Sequence, residues 1–277
     1  MQVAQRARIA CQIRESTGID RSVGGHGGKP TWRESSNRGV IAGPSLQNPG
    51  LPLTLAELDN PFWSSLRSRH RGIALGSGDW ARYPPDFAPF LGVSHAGVDA
   101  GAALEPGDRV FVLGVKPEIA EGWQLQTFRP LAQMTCCSPI EPVDGPDVLP
   151  LTDAHRADVL ALTALVYPHY FRERTMDMGR YFGIYQDGRL AAMIGERLGT
   201  DLHQEVSAIC THPDYLGRGY ARRLTAMLSN HILEQGRLPF LHVSHENTRA
   251  KQMYEQLGYR VRIDIPFWSL RKPSNPG

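Results

Sequence analysis

The feature that most constrains the fold is a segment in which a strand pattern runs through a glycine turn into a helix pattern. Residues 205–211 read Glu-Val-Ser-Ala-Ile-Cys-Thr and predict a strand. His212-Pro-Asp turns the chain, and Gly217 and Gly219 follow. From Gly219 to Gln235 the apolar residues recur at helical spacing, and Gly236 can end the helix. This order of elements predicts a mixed α/β protein.

The glycine turn also predicts an anion-binding site. The start of a helix leaves unpaired backbone N–H groups and a partial positive charge, and glycines remove the side chains that would keep a phosphate away. Strand, glycine turn and helix together can therefore cradle a pyrophosphate. The turn is not a P-loop, because no Gly-Lys-Ser/Thr follows. It is not a dinucleotide fingerprint either, since the third glycine is absent.

The rest of the C-terminal half alternates between helix and strand patterns. Thr152 or Asp153 can cap a helix, Asp187-Gly188 predicts a hairpin turn, and Asn247 can cap a further helix. The predicted elements are helices at 153–165 and 171–180, strands at 181–185, 190–198 and 205–211, a helix at 219–235, a strand at 239–244, a helix at 247–257 and extended chain at 259–270.

Composition and charge predict how the 277 residues are organised. Residues 1–50 lack periodicity and carry a net charge of +4, which leaves −2 for the remainder. A chain that is 41% hydrophobic and 21% charged can bury a core. The predicted organisation is a flexible N-terminal extension at 1–50, a small α/β domain at 51–137, a proline-rich linker at 138–150, the main domain at 151–272 and a tail at 273–277.

Three motifs in the main domain resemble the GNAT superfamily of acyl-CoA-dependent N-acetyltransferases. They are Thr211–Leu224 around the glycine turn, Phe240–Val243, and Asn247–Tyr259. The resemblance covers about residues 150–272, and two motifs match the family in order and spacing. Tyr167–Thr175 and Gly195–Arg197 further resemble a bacterial branch near the C-terminal domain of glycine N-acyltransferase. In that branch the first half often resembles a degenerate copy of the same fold, which is the expectation for 51–137.

The resemblance implies a fold and a co-substrate. The fold is α/β of the α+β type, with a mixed, mostly antiparallel sheet that is flanked by helices and opens near the fourth and fifth strands of the C-terminal half. Acetyl-CoA is the expected co-substrate, and no metal is expected. The family's phosphate-binding pattern fits Gly219 and Ala221, but its polar first position is Leu216 here. The residues expected to bind acetyl-CoA are Ile209, Cys210, Thr211, Gly217, Arg218, Gly219, Tyr220, Ala221 and Asn247.

The resemblance also implies two catalytic residues. Acyl transfer to an amine requires that the amine lose a proton, and the leaving thiolate benefits from a proton donor. Tyr254 falls where the family's general acid lies, and Glu205 falls where it often keeps a base. Tyr254 could instead pack against the sheet, Glu205 could be salt-bridged, and Asn247 could act only as a helix cap. The rival bases are Glu196, His242 and His245, whereas His212 is expected to be a structural turn residue.

The four cysteines show neither metal spacing nor a disulfide framework. A covalent acyl-cysteine at Cys210 is less favoured than a buried, inert thiol. Reduced thiols, and the absence of both a signal-peptide pattern and a long apolar run, predict a cytoplasmic protein that binds no membrane.

The functional prediction is an N-acetyltransferase acting on a small-molecule amine or a peptide, as a possible homodimer that binds no nucleic acid. The alternatives are a catalytically inactive CoA sensor or docking module with the same fold, and an interaction scaffold. The predicted acceptor pocket contains Tyr170, Phe171, Arg174, Phe267 and Trp268.

Overall fold

The structure is a computed structural model that describes residues 55–76 and 78–274. The predicted extension at 1–50 lies outside the described residues. The helices are α1 (Pro61–Arg67), α2 (Arg156–Val166), α3 (Tyr220–Glu234) and α4 (Thr248–Gln256). The short 3-10 turns are Leu55–Asp59, Gly101–Ala103, Asp153–His155, Thr175–Met178 and Pro213–Tyr215. The strands are β1 (Trp80–Arg82), β2 (Leu91–Val93), β3 (Arg109–Leu113), β4 (Gln124–Thr127), β5 (Leu131–Thr135), β6 (Leu149–Leu151), β7 (Tyr181–Gln186), β8 (Arg189–Gly199), β9 (His203–Thr211), β10 (Leu238–Ser244), β11 (Arg260–Ile265) and β12 (Phe267–Arg271).

A seven-stranded sheet in the order β11-β5-β10-β9-β8-β7-β6 forms the centre of the protein. Its neighbouring strands are antiparallel except for β9 and β10, which are parallel. On one face lies α3, with Leu224, Leu228 and Ile232 fully buried. Burial of such a side chain stabilises the fold by roughly 1.5–3 kcal/mol. The expected mixed, mostly antiparallel sheet flanked by helices is confirmed.

The sheet opens between β9 and β10. Their pairing is confined to His203–Glu205 against Leu238–Phe240, and beyond Phe240 β10 pairs only with β5, which lies along its other edge. In β9 a bulge places Ala208 at φ +50, which bends the strand. With β6 counted, these are the fourth and fifth strands of the C-terminal half, so the opening lies where it was expected.

The segment predicted to be a separate small domain shares both larger sheets with the C-terminal half. Strand β5 lies between β10 and β11, and β12 lies between β3 and β4. One buried cluster contains Phe62 and Phe90 from the first half beside Phe240 and Phe267 from the second. The aromatic side chains of the two halves therefore bury one another.

The predicted linker at 138–150 is hydrogen-bonded to α3. Asn230 accepts a hydrogen bond from Ile140 N–H at 2.8 Å and donates one to the Ile140 carbonyl at 2.7 Å. Arg223 donates to the carbonyls of Pro146 and Val143. These bonds fix the connection between β5 and β6 on the face of the sheet.

One of the predicted elements is wrong. In place of a helix at 171–180 there is only the turn Thr175–Met178, because Arg172 N–H bonds to Thr175 Oγ1 and Arg174 N–H bonds to the Asp86 carbonyl. The predicted extended chain at 259–270 is present as two strands, β11 and β12, which are divided at Pro266 and belong to different sheets. Proline has no N–H for a ladder and suits such a division.

No helix within the described ranges combines the length and the apolar character needed to cross a membrane.

Candidate active site

A cavity of about 350 Å³ lies at the opening between β9 and β10. The bulged part of β9, from Val206 to Cys210, forms one wall, and Leu241–Ser244 of β10 forms another. The remaining lining residues are Phe62, Phe90, Leu113, Leu131, Val166, Tyr167, Tyr170, Arg197, Asn247, Tyr254 and Phe267. The cavity therefore combines residues from the N-terminal part of the chain with residues of the predicted main domain.

The glycine turn after β9 fits an anion. Gly217 and Gly219 both have φ +78, and a Cβ at either position would meet no atom within 4 Å. In the described part of the chain, the N–H groups of Gly217, Arg218 and Gly219 have no backbone or side-chain acceptor. The first hydrogen bond of α3 runs from Arg223 N–H to the Gly219 carbonyl at 3.0 Å. The N–H groups of Tyr220 and Ala221 come before this bond, in the first turn, where a helix offers no acceptor of its own. The turn thus offers open space and unpaired donors.

Side chains at the turn leave that space open. Leu216 is 53% exposed, so it neither fills the turn nor supplies a polar contact. The guanidinium of Arg218 stacks over the ring of Tyr215 at 4.9 Å, and its Nη2 lies 3.5 Å from the Asp214 carbonyl. Arg222 reaches Gln256 Oε1 at 3.4 Å. Two cations therefore stand beside the unpaired amides and can replace the polar contact that Leu216 lacks.

The structure separates the predicted acetyl-CoA residues into two groups. Ile209, Cys210 and Asn247 line the cavity, whereas Thr211 and the glycine turn lie beyond its lining. The Tyr220 side chain is buried in the cluster beneath α3, so only its backbone N–H can contact a ligand. Asn247 Oδ1 also accepts from Ala250 N–H at 3.2 Å, which makes this residue a helix cap as well as a lining residue.

Cys210 is held as a thiol. Burial raises the pKa of its side chain to about 12, and only 2% of the residue is exposed. A thiolate is the nucleophilic form of cysteine. The structure therefore gives Cys210 the role of an apolar lining residue, as its sequence context indicated.

Tyr254 presents a phenol to the cavity from α4. The residue is 7% exposed and packs against Tyr259 and Leu257. Burial, with a smaller contribution from Cys210, raises the pKa of Tyr254 above its ordinary range. The phenol stays protonated at neutral pH and can donate a hydrogen bond into the cavity.

Glu205 does not have the geometry of a general base. It is fully buried behind the cavity wall, and Arg197 grips both of its oxygens at 2.7 and 2.8 Å. Burial would raise the pKa of Glu205, but the Arg197 charge and hydrogen bonds, with help from His242, lower it to about 2. Because an effective base has a pKa near the working pH, the structure assigns Glu205 a positioning role.

His242 lines the cavity but both of its ring nitrogens are engaged. Nδ1 lies 2.7 Å from Glu205 Oε1, and Nε2 lies 3.0 Å from the amide nitrogen of Gln133. The amide is oriented by Arg262, which donates to its oxygen, and by the Leu58 carbonyl, which accepts from its nitrogen. Gln133 is therefore the donor, and His242 carries its proton on Nδ1. Its second nitrogen is occupied and cannot take a proton from an amine.

The other rival bases lie away from the cavity. Glu196 is buried and paired with Arg180 at 2.5 Å. His245 pairs with Asp264 at 2.7 Å. His212 Nδ1 accepts from Asp214 N–H at 3.2 Å and so stabilises the turn after β9.

The predicted acceptor pocket is only partly correct. Tyr170 and Phe267 line the cavity, whereas Phe171, Arg174 and Trp268 do not. Arg174 pairs with Asp177 at 2.9 Å and stacks on Phe87. Sequence reasoning named Arg197 only as part of the Gly195–Arg197 resemblance and did not identify it as a site residue, although an arginine inside the apolar run 190–198 was a usable signal. It also missed Phe62 and Phe90, which carry no motif.

Within the described residues no group of three or more His, Cys, Asp or Glu side chains could hold a metal ion.

Comparison with known proteins identifies the family. The sequence model of the FR47-like protein family matches residues 181–268. The crystal structure of a GNAT-family protein from Novosphingobium aromaticivorans is 31% identical with a TM-score of 0.72, over 78% of this chain and 99% of that one. A GCN5-related N-acetyltransferase from Kribbella flavida is 17% identical with a TM-score of 0.52, over 80% and 96% respectively, which shows the fold alone. No curated protein matches the sequence.

A sheet that opens beside a glycine turn and a helix start is the architecture of an acyltransferase fold. The chain belongs to the GNAT family of acetyltransferases.

Proposed function

We propose that this protein is an N-acetyltransferase that moves the acetyl group of acetyl-CoA to a primary amine by direct attack in a ternary complex. The observation that carries the proposal is the opening between β9 and β10, whose cavity lies beside a glycine turn with unpaired amides. Family membership supports acyl transfer in general.

Two parts of the chain would hold acetyl-CoA. The N–H groups of Gly217, Arg218 and Gly219, with those at the start of α3, suit a pyrophosphate. Ile209, Cys210 and Asn247 suit the arm that reaches into the cavity. When bound, acetyl-CoA supplies an activated acyl group as a thioester.

The cavity residues set the conditions for the amine. Among the described residues the lining contains no carboxylate that could pair with an ammonium ion, and its one guanidinium, Arg197, is held by buried Glu205, so the site favours a neutral amine over an ammonium ion. Attack by a neutral amine forms one amide bond and breaks one thioester bond, and the amine proton is balanced by that of the free thiol. Tyr254 supports the departing sulfur by donating a hydrogen bond from its phenol.

Direct attack is favoured over a covalent enzyme intermediate. The cysteine that lines the cavity, Cys210, has a pKa of about 12 and is a thiol at neutral pH. Its environment supplies no base, because His242 is engaged by Glu205 and Gln133.

Thiol release tests the proposal. Protein, acetyl-CoA and a panel of primary amines are incubated, and free thiol and acetylated amine are both measured. We expect the two products in equal amounts, and only when an amine is present. Binding of CoA without thiol release from any amine would favour a non-catalytic sensor and would contradict the proposal.

A further inference from the structure

Arg197 has one guanidinium edge that is fully paired and one that is open to the cavity. Nε and Nη2 bond to the two oxygens of Glu205 at 2.8 and 2.7 Å. Nη1 has no hydrogen-bond partner among the described residues, and it is not among the buried unpaired atoms. The side chain is 13% exposed and lines the cavity. The open edge therefore belongs to Nη1 and faces the cavity.

The guanidinium is held rigidly in this orientation. Glu205 is fully buried and is itself fixed by His242 at 2.7 Å. On the other side the guanidinium carbon lies 5.1 Å from the ring of Phe90, which stacks on Phe62 at 4.4 Å. A planar donor fixed in this way is suited to a carboxylate or carbonyl oxygen.

The cavity surface around Nη1 is apolar, and the only carboxylate at Arg197 is Glu205, which is buried behind the cavity wall. Phe62, Phe90, Tyr170 and Phe267 form an aromatic wall, and Leu113 and Leu131 extend it. Among the described lining residues, Arg197 is the only Lys, Arg, Asp or Glu side chain. A second ammonium group, as in a polyamine, would meet the guanidinium edge of Arg197 and find no carboxylate among the described lining residues to pair with.

We propose that the acceptor is a free amino acid with an apolar or aromatic side chain, whose carboxylate binds Nη1 of Arg197. The aromatic wall takes the side chain, and the carboxylate orients the amine within the cavity. This inference rests on the proposed acetyltransferase function and identifies its substrate class. It replaces Arg174, the cation that the sequence indicated, with Arg197.

A matched set of acceptors tests the inference on the unaltered protein. Phenylalanine, phenylalaninamide and phenethylamine share one side chain and differ only at the carboxylate. We expect kcat/KM for phenylalanine to exceed that for each of the other two by at least about 10-fold, as for the loss of a hydrogen bond to a charged group. Equal kcat/KM for the three would overturn the carboxylate contact but leave the acetyltransferase function standing. If neither these three acceptors nor any other amine were acetylated, both the carboxylate contact and the acetyltransferase function would be overturned.

Two lysine variants separate recognition from stability. Arg197→Lys retains a positive charge for Glu205 but loses the Nη1 edge of the guanidinium that faces the cavity. We therefore expect KM for phenylalanine to rise by at least about 10-fold and the preference for phenylalanine over phenethylamine to shrink. The matched control is Arg180→Lys, because Arg180 grips buried Glu196 in the same way outside the cavity. It should retain the preference. An Arg197→Lys protein that kept the full preference for phenylalanine over phenethylamine would contradict the proposal. If that variant does not fold, the comparison of the three acceptors on the unaltered protein decides.

Discussion

At the scale of single residues, one buried carboxylate organises the cavity. Glu205 fixes Arg197 through two hydrogen bonds and His242 through a third. Both partners line the cavity, whereas Glu205 does not. A carboxylate that the sequence suggested as a base therefore acts by holding the groups that face the substrate.

The stability of the protein should depend on this carboxylate. The pKa of Glu205 in the folded protein is about 2, below its usual value of 4.5. A depressed pKa stabilises the fold above the unfolded value, and this contribution is lost as the pH falls toward 2. We expect Glu205→Gln to be less stable than the unaltered protein by about 3 kcal/mol at pH 7, and the difference to shrink below pH 4. Urea unfolding at several pH values measures this, and a difference that is constant with pH would contradict it.

Replacement of the cavity phenol should slow turnover without weakening binding. For Tyr254→Phe we expect kcat to fall by about 10²-fold, as for the loss of a positioned proton donor, while CoA affinity stays the same. The control is Tyr185→Phe, which removes a phenol that bonds to Asp158 outside the cavity. Equal kcat in Tyr254→Phe and the unaltered protein would remove Tyr254 from the chemistry.

Site residues that belong to one sequence motif were predictable, whereas a contact that depends on the register between two strands was not. The family resemblance implied Asn247, Tyr254, Ile209 and Cys210 as site residues through its motifs, and all four line the cavity. The pairing of Arg197 with Glu205 depends on the register of β8 and β9, which shifts at two places. No sequence pattern reports such bulges, so the partner of Glu205 became visible only in the structure.

At the scale of elements, the opening of the sheet depends on β5. Strand β10 leaves β9 after Phe240, while its other edge stays paired with β5 as far as Ser244, so β5 holds β10 in the sheet where the cavity begins. The sequence predicted β9, β10, α3 and α4 because their periodicity is local. It could not predict that β5 lies between β10 and β11, because that pairing joins residues more than 100 positions apart.

The bonds between α3 and the connection after β5 should contribute to stability. Asn230 satisfies both backbone groups of Ile140, so Asn230→Ala should lower the free energy of unfolding by about 1–3 kcal/mol. Glu234→Ala, at an exposed position of the same helix, should change it by less than about 0.5 kcal/mol. Urea unfolding measures both, and equal stability of the two variants would contradict the assignment.

At the scale of the whole molecule, the two halves of the described chain share two sheets and one buried cluster. Removal of residues 55–137 would take β5 out of the seven-stranded sheet and Phe62 and Phe90 out of the cavity wall. We expect residues 138–274 alone to show no cooperative thermal unfolding by circular dichroism, and residues 55–274 to unfold cooperatively. A cooperative transition in the shorter chain would show that the C-terminal half folds independently.

The central claim, that acetyl-CoA binds with its phosphates at the glycine turn, is tested most directly by calorimetric titration. Gly219→Glu places a carboxylate among the unpaired amides, and we expect it to weaken acetyl-CoA binding by at least about 100-fold through loss of the phosphate contacts. Gly188→Glu is the matched control, because Gly188 also has a positive φ and open space but lies in the β7–β8 hairpin. It should bind acetyl-CoA like the unaltered protein. Undiminished binding by Gly219→Glu, or no binding by the unaltered protein, would contradict the account.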